Sequence, residues 1–358
     1  MPGEAPRGRG SAENPNSRFS KLRYEADADA AADLWDDSER DAPSPQTVVE
    51  EDGAKSVLSR NDSPDVPFDW SLNPYRGCEH GCAYCYARPT HEYLGLSAGL
   101  DFETRLLAKP QAAELLAQEL AAPGWERKPI ALSGVTDPYQ PIERERQLTR
   151  RCLEVLVAFR NPVWIVTKSD LVLRDIDLLS KLAAVNAVHV AISVTTLDRE
   201  LARTLEPRAC QPRRRLDALA RLSAAGIPTG VLAAPLIPGL NDHELPSILE
   251  EAAKAGARRA GYVLLRLPHG LKELFAGWLD RHRPLAKARV LGALEEMRGG
   301  KLNDPRFRSR MQGEGARAAQ LARWFEVLCG RLRLERSAPK LSSDAFVIPG
   351  ERQRLLFE

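Results

Sequence analysis

The residues of this chain best suited to chemistry are three cysteines in one short stretch. Cys78, Cys82 and Cys85 lie within eight residues, and they are half of the six cysteines in the 358-residue chain. Thiolates are soft metal ligands, and the spacing C-x3-C-x2-C lets a single loop bind three corners of an iron–sulfur cube while the fourth iron has no protein ligand. Because metal sites with an open position tend to be catalytic, the spacing predicts a reactive metal centre.

A structural zinc site is the alternative for the same cysteines, with His80 or His91 as the fourth ligand. Zinc sites usually combine a C-x2-C half with an H-x3-5-H half, and the sequence has no second half of this kind. A disulfide framework is a weaker prediction. Six cysteines in a chain of this length, without an apolar signal segment at the N-terminus, are typical of a reducing compartment, so we expect a cytoplasmic location.

The cysteine stretch, with the aromatic Tyr84 just before its third cysteine, resembles the radical S-adenosylmethionine (SAM) enzymes. Residues 136–141, 192–196 and 235–242 narrow the resemblance to the DNA repair photolyase-like branch, which is related to spore photoproduct lyase. In that superfamily SAM chelates the open iron of a [4Fe-4S] cluster, and one electron from the cluster breaks SAM into methionine and a 5′-deoxyadenosyl radical. The resemblance covers about residues 67–268 and implies these two cofactors.

Short apolar runs alternate with amphipathic segments through the same region. The runs predict strands at 71–76, 130–135, 163–167, 188–194, 229–234 and 261–265, and the segments between them predict helices at 112–122, 144–159, 171–184, 213–225 and 244–255. This alternation favours a parallel α/β sheet but does not separate a barrel from a doubly wound sheet. The resemblance implies a partial TIM barrel of about six βα units, open on one side to admit substrate. Chemistry in such barrels lies at the C-terminal ends of the strands.

The ammonium group of SAM needs an acceptor, and the resemblance implies one near the end of the second strand. Many relatives have Gly-Gly-Glu there, whereas this chain has Ser-Gly-Val-Thr-Asp at 133–137. The resemblance therefore implies Asp137 as the acceptor, with Thr136 or a backbone carbonyl as alternatives. Asp-Pro is also a common way to open a turn, so Asp137 could serve only to cap its loop.

Three further residues are candidates for binding SAM by the same resemblance. Lys168 and Ser193, each at a strand end, could donate to its carboxylate or ribose, and Tyr84 stands where family members contact adenine. The alternatives are a solvated Lys168, a Ser193 that packs within its strand, and a Tyr84 that only covers the cluster from water.

Cys210 is the weak candidate for a catalytic residue. It lies in a loop among cations, which would lower the pKa of its thiol and suit a redox or hydrogen-donor role, although an incidental loop cysteine is the alternative. Cys152 and Cys329 lie in helical patterns and are predicted to be core residues. Glu143 and Arg208 are weaker substrate-site candidates, in loops expected near the open face.

The placement of the cysteines also limits the resemblance. Spore photoproduct lyases typically carry a hydrogen-donor cysteine between the cluster loop and the second or third strand, and this chain has none between Cys85 and Cys152. The sequence therefore favours a radical reaction on another substrate.

The flanking regions define three predicted domains. Residues 1–65 read as a disordered tail with a short helical stretch at 26–35, residues 66–270 as the radical SAM core, and residues 271–358 as a basic, mostly helical extension. Between residues 298 and 336 there are ten Lys and Arg but four Asp and Glu, with aromatics such as Phe307 and Trp324 among them. That combination is typical of nucleic-acid binding, although the same segment could equally cover the open side of the barrel.

The remaining expectations concern partners. The chain has a formal charge of +2 and no apolar run near the length of a membrane span, so we expect no membrane association. A radical SAM enzyme needs an electron donor such as flavodoxin or ferredoxin, and nucleic acid could bind the basic extension. The second function class is a zinc-stabilised nucleic-acid-binding protein without catalysis.

Overall fold

The computed structural model describes residues 6–19, 45–132 and 134–350. Its strands are β1 (Val48–Glu51), β2 (Leu58–Arg60), β3 (Trp70–Leu72), β4 (Tyr75–Arg76), β5 (Arg105–Ala108), β6 (Ile130–Leu132), β7 (Val163–Thr167), β8 (Val188–Ser193), β9 (Thr229–Leu236) and β10 (Arg259–Leu264). Its α-helices are α1 (Asp101–Thr104), α2 (Ala112–Ala121), α3 (Glu143–Arg146), α4 (Leu148–Phe159), α5 (Ile176–Ala183), α6 (Arg199–Leu205), α7 (Pro212–Ala224), α8 (Leu245–Lys254), α9 (Leu271–His282), α10 (Lys287–Glu296), α11 (Ser309–Gln312) and α12 (Gly315–Leu332).

A seven-stranded sheet in the order β10-β9-β8-β7-β6-β3-β2 forms the centre of the molecule. Six of its strands run parallel in the order of the sequence, and β2 pairs antiparallel with β3 at one edge. The parallel strands are short, and β6, β8 and β9 are almost wholly buried, as expected for strands with helices on one face and a packed interior on the other. The predicted partial barrel of six βα units is confirmed, with β2 and β10 at opposite edges of an open sheet.

Two predicted elements are divided in the structure. The strand predicted at 71–76 is two strands, because Pro74 has no N–H to continue the ladder. β3 joins the main sheet, while β4 pairs with β5 in a second sheet of order β1-β5-β4. The helix predicted at 144–159 is α3 followed by α4, and the break is at Gln147, whose φ of 50° is left-handed.

The predicted disordered tail of residues 1–65 contains two short strands, at 48–51 and 58–60. β1 pairs in parallel with β5, and β2 extends the main sheet, so both strands depend on partners distant in sequence that local composition does not reveal. Residues 9–11 also pack against the cysteine loop, as described below. The helix predicted at 26–35 lies outside the described residues.

The C-terminal region is mostly helical, as predicted, through α9, α10, α11 and α12; residues 351–358 lie outside the described part. Side chains of α9 such as Phe275 and Trp278 share one apolar cluster with Cys82 and Tyr84. The extension therefore covers the cysteine loop. No helix in the described ranges combines the length and the apolarity needed to cross a membrane.

Candidate active site

The three cysteines lie on one loop that follows β4. Cys78 and Cys82 are each 8% exposed and Cys85 is half-buried, and none of them is in a disulfide. Burial raises the pKa of all three thiols, and for Cys78 the neighbouring Asp137, Cys82 and Cys85 raise it further. Because a metal binds the thiolate, loading of this loop must release protons.

Backbone hydrogen bonds to two other segments fix the path of the cysteine loop. The N–H of Cys78 donates to the carbonyl of Phe102 at 2.9 Å, and the N–H of Ala83 donates to that of Leu205 at 2.9 Å. Gly77 has a φ of +78°, and a Cβ at this position would lie 2.7 Å from the side chain of Leu106. Glycine is therefore required where the chain turns into the loop.

A buried ion pair beneath the loop organises it further. Arg88 donates through Nε to the carbonyl of Cys82 at 2.9 Å, and its guanidinium pairs with the carboxylate of Glu103. The same carboxylate accepts the backbone N–H groups of Gly10 and Ser11 at 3.0 and 2.9 Å. Residues near the N-terminus thus form part of the support of the cysteine loop. The position of Arg88, three residues after Cys85, is a sequence signal for a role in supporting the loop. No sequence pattern indicated that Glu103 or residues 10 and 11 take part in this support.

The donor set fits an iron–sulfur cluster better than a zinc ion. Within the described ranges no three His, Cys, Asp or Glu side chains converge on a position for one metal ion. The two imidazoles that a zinc site would use have other partners: Nδ1 of His80 lies 3.4 Å from Asp137, and Nε2 of His91 lies 2.8 Å from the carbonyl of Arg105. A cluster needs only thiolates, each on a different iron, and a cysteine-only loop supplies them.

Asp137 lies at the C-terminal end of the second parallel strand, as predicted, but protein groups occupy its carboxylate. Oδ1 accepts the hydroxyl of Thr167 at 2.7 Å and the N–H of Tyr139 at 2.9 Å, and Oδ2 accepts the N–H of Lys168 at 2.8 Å. Burial alone would raise the pKa of Asp137, but His80 and these donors outweigh it and hold the pKa at about 2. This geometry supports the alternative in which Asp137 caps its loop.

Thr136 is buried, and its hydroxyl donates to the carbonyl of Tyr75 at 3.3 Å. Two residues before Thr136, the carbonyl of Gly134 accepts a hydrogen bond from the hydroxyl of Tyr86 at 2.8 Å. Tyr86 comes directly after the third cysteine. The backbone after β6 therefore directly contacts the end of the cysteine loop.

Lys168, Ser193 and Tyr84 come together inside the barrel. Nζ of Lys168 donates to Oγ of Ser193 at 3.2 Å and lies 5.9 Å from the centre of the Tyr84 ring. The Tyr84 hydroxyl is 3.0 Å from Oγ1 of Thr195 and also bonds the carboxylate of Glu206. The structure thus assembles the predicted polar groups at the ends of β7 and β8, beside the cysteine loop.

Glu206 and Arg215 form a buried ion pair that sequence reasoning missed. Each side chain is 1% exposed, and Arg215 also donates to the carbonyls of Cys210 and Ser193. Burial alone would raise the pKa of Glu206, but Arg215 and Lys168 hold it at about 2. A Glu and an Arg nine residues apart in a loop and the following helix give no local sign of this pairing.

The other candidates lie outside this interior group. Cys210 lines a separate cleft of about 160 Å³ with His80, Ser169 and Arg208, and its thiol donates to the carbonyl of Lys168 at 3.1 Å. Burial raises the pKa of this thiol, which outweighs the lowering by Arg215, so the expected lowered pKa is wrong.

Both weaker substrate-site candidates have carboxylate or hydroxyl partners within the protein, but only Glu143 is fully buried. Glu143 is fully buried and accepts the hydroxyl of Tyr75 and the guanidinium of Arg174, so it stabilises the fold. Arg208 pairs with Glu79 of the cysteine loop at 3.1 Å and remains about a third exposed in the cleft that Cys210 lines. Cys152 and Cys329 are core residues, as predicted.

Residues 304–313, the cover segment, connect the two edges of the open sheet. α11 within this segment packs against β10. On the other edge, the N–H of Arg308 donates to Asp65 at 2.5 Å, and the guanidinium of Arg310 pairs with the same carboxylate in the loop after β2. Several cations of the extension are paired with acids in the same way, among them Arg306 and Arg331. These contacts support the covering alternative more than a free basic surface.

Comparisons with known proteins agree with this geometry. A family model described as the radical SAM superfamily matches residues 72–252. An uncharacterized protein of Mycobacterium tuberculosis is 38% identical over 233 residues, which is 64% of this chain and 68% of the relative. An uncharacterized protein of Acidianus two-tailed virus is 30% identical over 60% of this chain and 70% of its own length.

Solved structures of spore photoproduct lyase have the same fold. A cysteine-to-serine variant superposes with a TM-score of 0.57 and 17% identity, covering 80% of this chain and 79% of that one. Another variant, with bound AdoMet and dinucleoside spore photoproduct, gives a TM-score of 0.57 and 16% identity over 83% of this chain and 82% of that one.

Proposed function

Because the chain belongs to the radical SAM superfamily and is therefore an enzyme, we propose that it binds a [4Fe-4S] cluster through Cys78, Cys82 and Cys85 and cleaves SAM reductively. When bound, such a cluster would supply the one electron needed to cleave SAM into methionine and a radical able to abstract hydrogen from a substrate. The observation that carries the proposal is a loop with three free, largely buried thiols at the C-terminal edge of a partial barrel.

The polar group inside the barrel is suited to orient SAM. Lys168 and Ser193 offer donors for its carboxylate or ribose, and Tyr84 is held beside them. Because both carboxylate oxygens of Asp137 have protein donors and the carbonyl of Gly134 accepts Tyr86, we assign the ammonium to the backbone carbonyls at 135 and 136, with Asp137 as a positioning residue.

The extension keeps water from the cysteine loop. Phe275, Trp278 and Leu279 of α9 are fully buried in the cluster that also contains Cys82 and Tyr84. An apolar cover suits radical chemistry, since exclusion of water limits side reactions.

Anaerobic reconstitution tests the proposal, with Cys85→Ala compared with Cys152→Ala. We expect the parent protein to hold about four iron and four sulfide per chain and to make 5′-deoxyadenosine from SAM and a strong reductant. Cys85→Ala should lose the cluster, whereas Cys152→Ala, whose thiol lies in the core, should keep it. Stoichiometric zinc without sulfide or SAM cleavage would instead favour the zinc-stabilised alternative. Equal iron in the two variants would show that the ligands are assigned wrongly.

We also propose a cytoplasmic enzyme served by an electron donor such as flavodoxin or ferredoxin. Nucleic acid is the first substrate class to test, because a solved structure of similar fold holds a dinucleoside photoproduct and the extension carries exposed aromatics such as Phe307. Deuterium that appears in 5′-deoxyadenosine from a labelled oligonucleotide would identify the abstracted hydrogen. Incubation with labelled nucleic acid that leaves 5′-deoxyadenosine unlabelled, while SAM is cleaved, would exclude this class.

A further inference from the structure

Arg266 lies just beyond the C-terminal end of β10 with few partners for its charge. Its Cζ is 5.3 Å from the centre of the Tyr86 ring, and Nη1 is 3.7 Å from the sulfur of Met311. Its Nε is buried and has no hydrogen-bond partner among the described residues. A thioether is only a weak acceptor, so most of the donor capacity of this guanidinium is unused.

Several other guanidinium groups of this protein have carboxylate partners, and the buried Arg9 and Arg298 donate to backbone carbonyls instead. Arg88 pairs with Glu103, Arg215 with Glu206, and Arg310 with Asp65. Within the described ranges Arg266 has no ion pair. The acid in its surroundings, Asp65, already binds Arg310.

The neighbours of Arg266 increase the positive potential at this position. Burial and the nearby Arg310 lower the pKa of Arg266, while Arg266 in turn contributes to the lowered pKa of Arg298. Arg298 is buried and donates to the carbonyl of Leu265 at 2.6 Å. Arg266 is half-buried, and its buried Nε has no partner among the described residues, so its charge is open to a counter-charge from another molecule.

The position of Arg266 places this charge at the mouth of the barrel. Tyr86, on whose ring it lies, directly follows Cys85 and bonds the carbonyl of Gly134 after β6. On its other side Arg266 contacts Met311 of the cover segment. The guanidinium therefore lies where the cysteine loop, the second strand end and the cover segment meet.

We propose that Arg266 binds an oxyanion of the substrate, a phosphate or a carboxylate, while the Tyr86 ring fixes the plane of its guanidinium. A planar guanidinium can grip two oxygens of either group at once. The proposal rests on the proposed function, which places the substrate at this mouth.

Titration calorimetry on the reconstituted protein tests the proposed anion site at Arg266, with inorganic phosphate and acetate as probes at constant ionic strength. We expect saturable binding of one of them, weakened at least tenfold in Arg266→Met and partly kept in Arg266→Lys, which retains the charge but not the fork. Arg323→Met removes an exposed cation of α12 and should bind as the parent does. Preference for phosphate or for acetate identifies the group on the substrate.

The melting temperature gives a second test of whether Arg266 binds an anion. If Arg266 serves the ligand and not the fold, Arg266→Met should keep the parent melting temperature, and the binding anion should raise the melting temperature of the parent only. Binding of neither anion by the parent, or equal binding by parent and Arg266→Met, would overturn the site. An Arg266→Met variant too unstable to purify would assign Arg266 to the fold and would overturn the site as well. Anion binding without SAM cleavage would refute the proposed function alone, and SAM cleavage without anion binding would refute this inference alone.

Discussion

At the scale of single residues, the ion pair of Glu206 and Arg215 holds together the polar interior beside the cysteine loop. Glu206 accepts the hydroxyls of Tyr84 and Thr195, and Arg215 reaches the carbonyl of Ser193. Both partners are buried, so removal of one leaves the other as an uncompensated charge. The pair therefore positions Tyr84 and Ser193 for the proposed SAM site.

We expect Glu206→Gln to lower the free energy of unfolding by about 3–5 kcal/mol, because Arg215 is left buried without a counter-charge. Chemical denaturation with urea measures the change. Replacing both residues, as Glu206→Leu with Arg215→Met, should cost less than Glu206→Gln alone. A double variant less stable than the single one would contradict this view of the pair.

The sequence placed Asp137 correctly at a strand end, but the contacts of its carboxylate favour a capping role over the predicted role as acceptor for the ammonium of SAM. Its position at a strand end followed from the strand pattern, but the occupancy of its carboxylate depends on the N–H of Lys168 and the hydroxyl of Thr167, about thirty residues away. No local pattern reports which donors a fold brings to a carboxylate. The capping alternative is therefore the one that the contacts favour.

At the scale of elements, the cover segment closes a gap that the sheet leaves between β2 and β10. It is anchored at one end through Asp65, which is almost fully buried by Arg310. Within the segment, Asp304 accepts the N–H of Arg306 at 3.0 Å and bonds the hydroxyl of Ser309. The segment is thus a fixed wall beside the mouth of the barrel.

Asp65→Asn should loosen this wall, since Arg310 loses its counter-charge. We expect a loss of about 1–3 kcal/mol in unfolding free energy and faster trypsin cleavage after Arg306, Arg308 or Arg310, read by mass spectrometry. Asp62→Asn, which changes an exposed acid in the same loop, is the matched control. Equal cleavage rates in the two variants would mean that Asp65 does not anchor the segment.

At the scale of the whole molecule, stability should depend on pH in the acid range through Glu206. Its pKa is about 2 in the folded protein, below its ordinary value of 4.5. A carboxyl with a lowered folded pKa stabilises the protein fully above its unfolded pKa, and this contribution is lost as the pH falls through the folded pKa. The window is therefore about pH 4.5 to 2, and the contribution is about 3 kcal/mol.

Urea denaturation of the cluster-free protein at several pH values in this window measures how steeply the free energy of unfolding changes with pH. The parent should lose stability as the pH falls, and Glu206→Gln should show a shallower slope because it lacks the titrating group. Parallel slopes for the two proteins would mean that Glu206 does not carry the dependence.

The sequence by itself determined the family, the six βα units and the cysteines proposed as ligands. These follow from local information: a ligand spacing within eight residues, and short apolar runs whose period sets strand or helix. The ends of elements were predicted less well where one residue interrupts a run, as Pro74 does.

The tertiary structure decided which charges compensate each other and which do not. The support of the cysteine loop by Glu103 joins it to residues 10 and 11, which are far away along the chain. The pair of Glu206 with Arg215 spans only nine residues but has no local sequence pattern, and the lack of an ion pair at Arg266 among the described residues depends on its neighbours in space. Such contacts depend on how the βα units pack around one interior. Because the energy of a buried charge depends on its neighbours in space, only the folded chain reveals it.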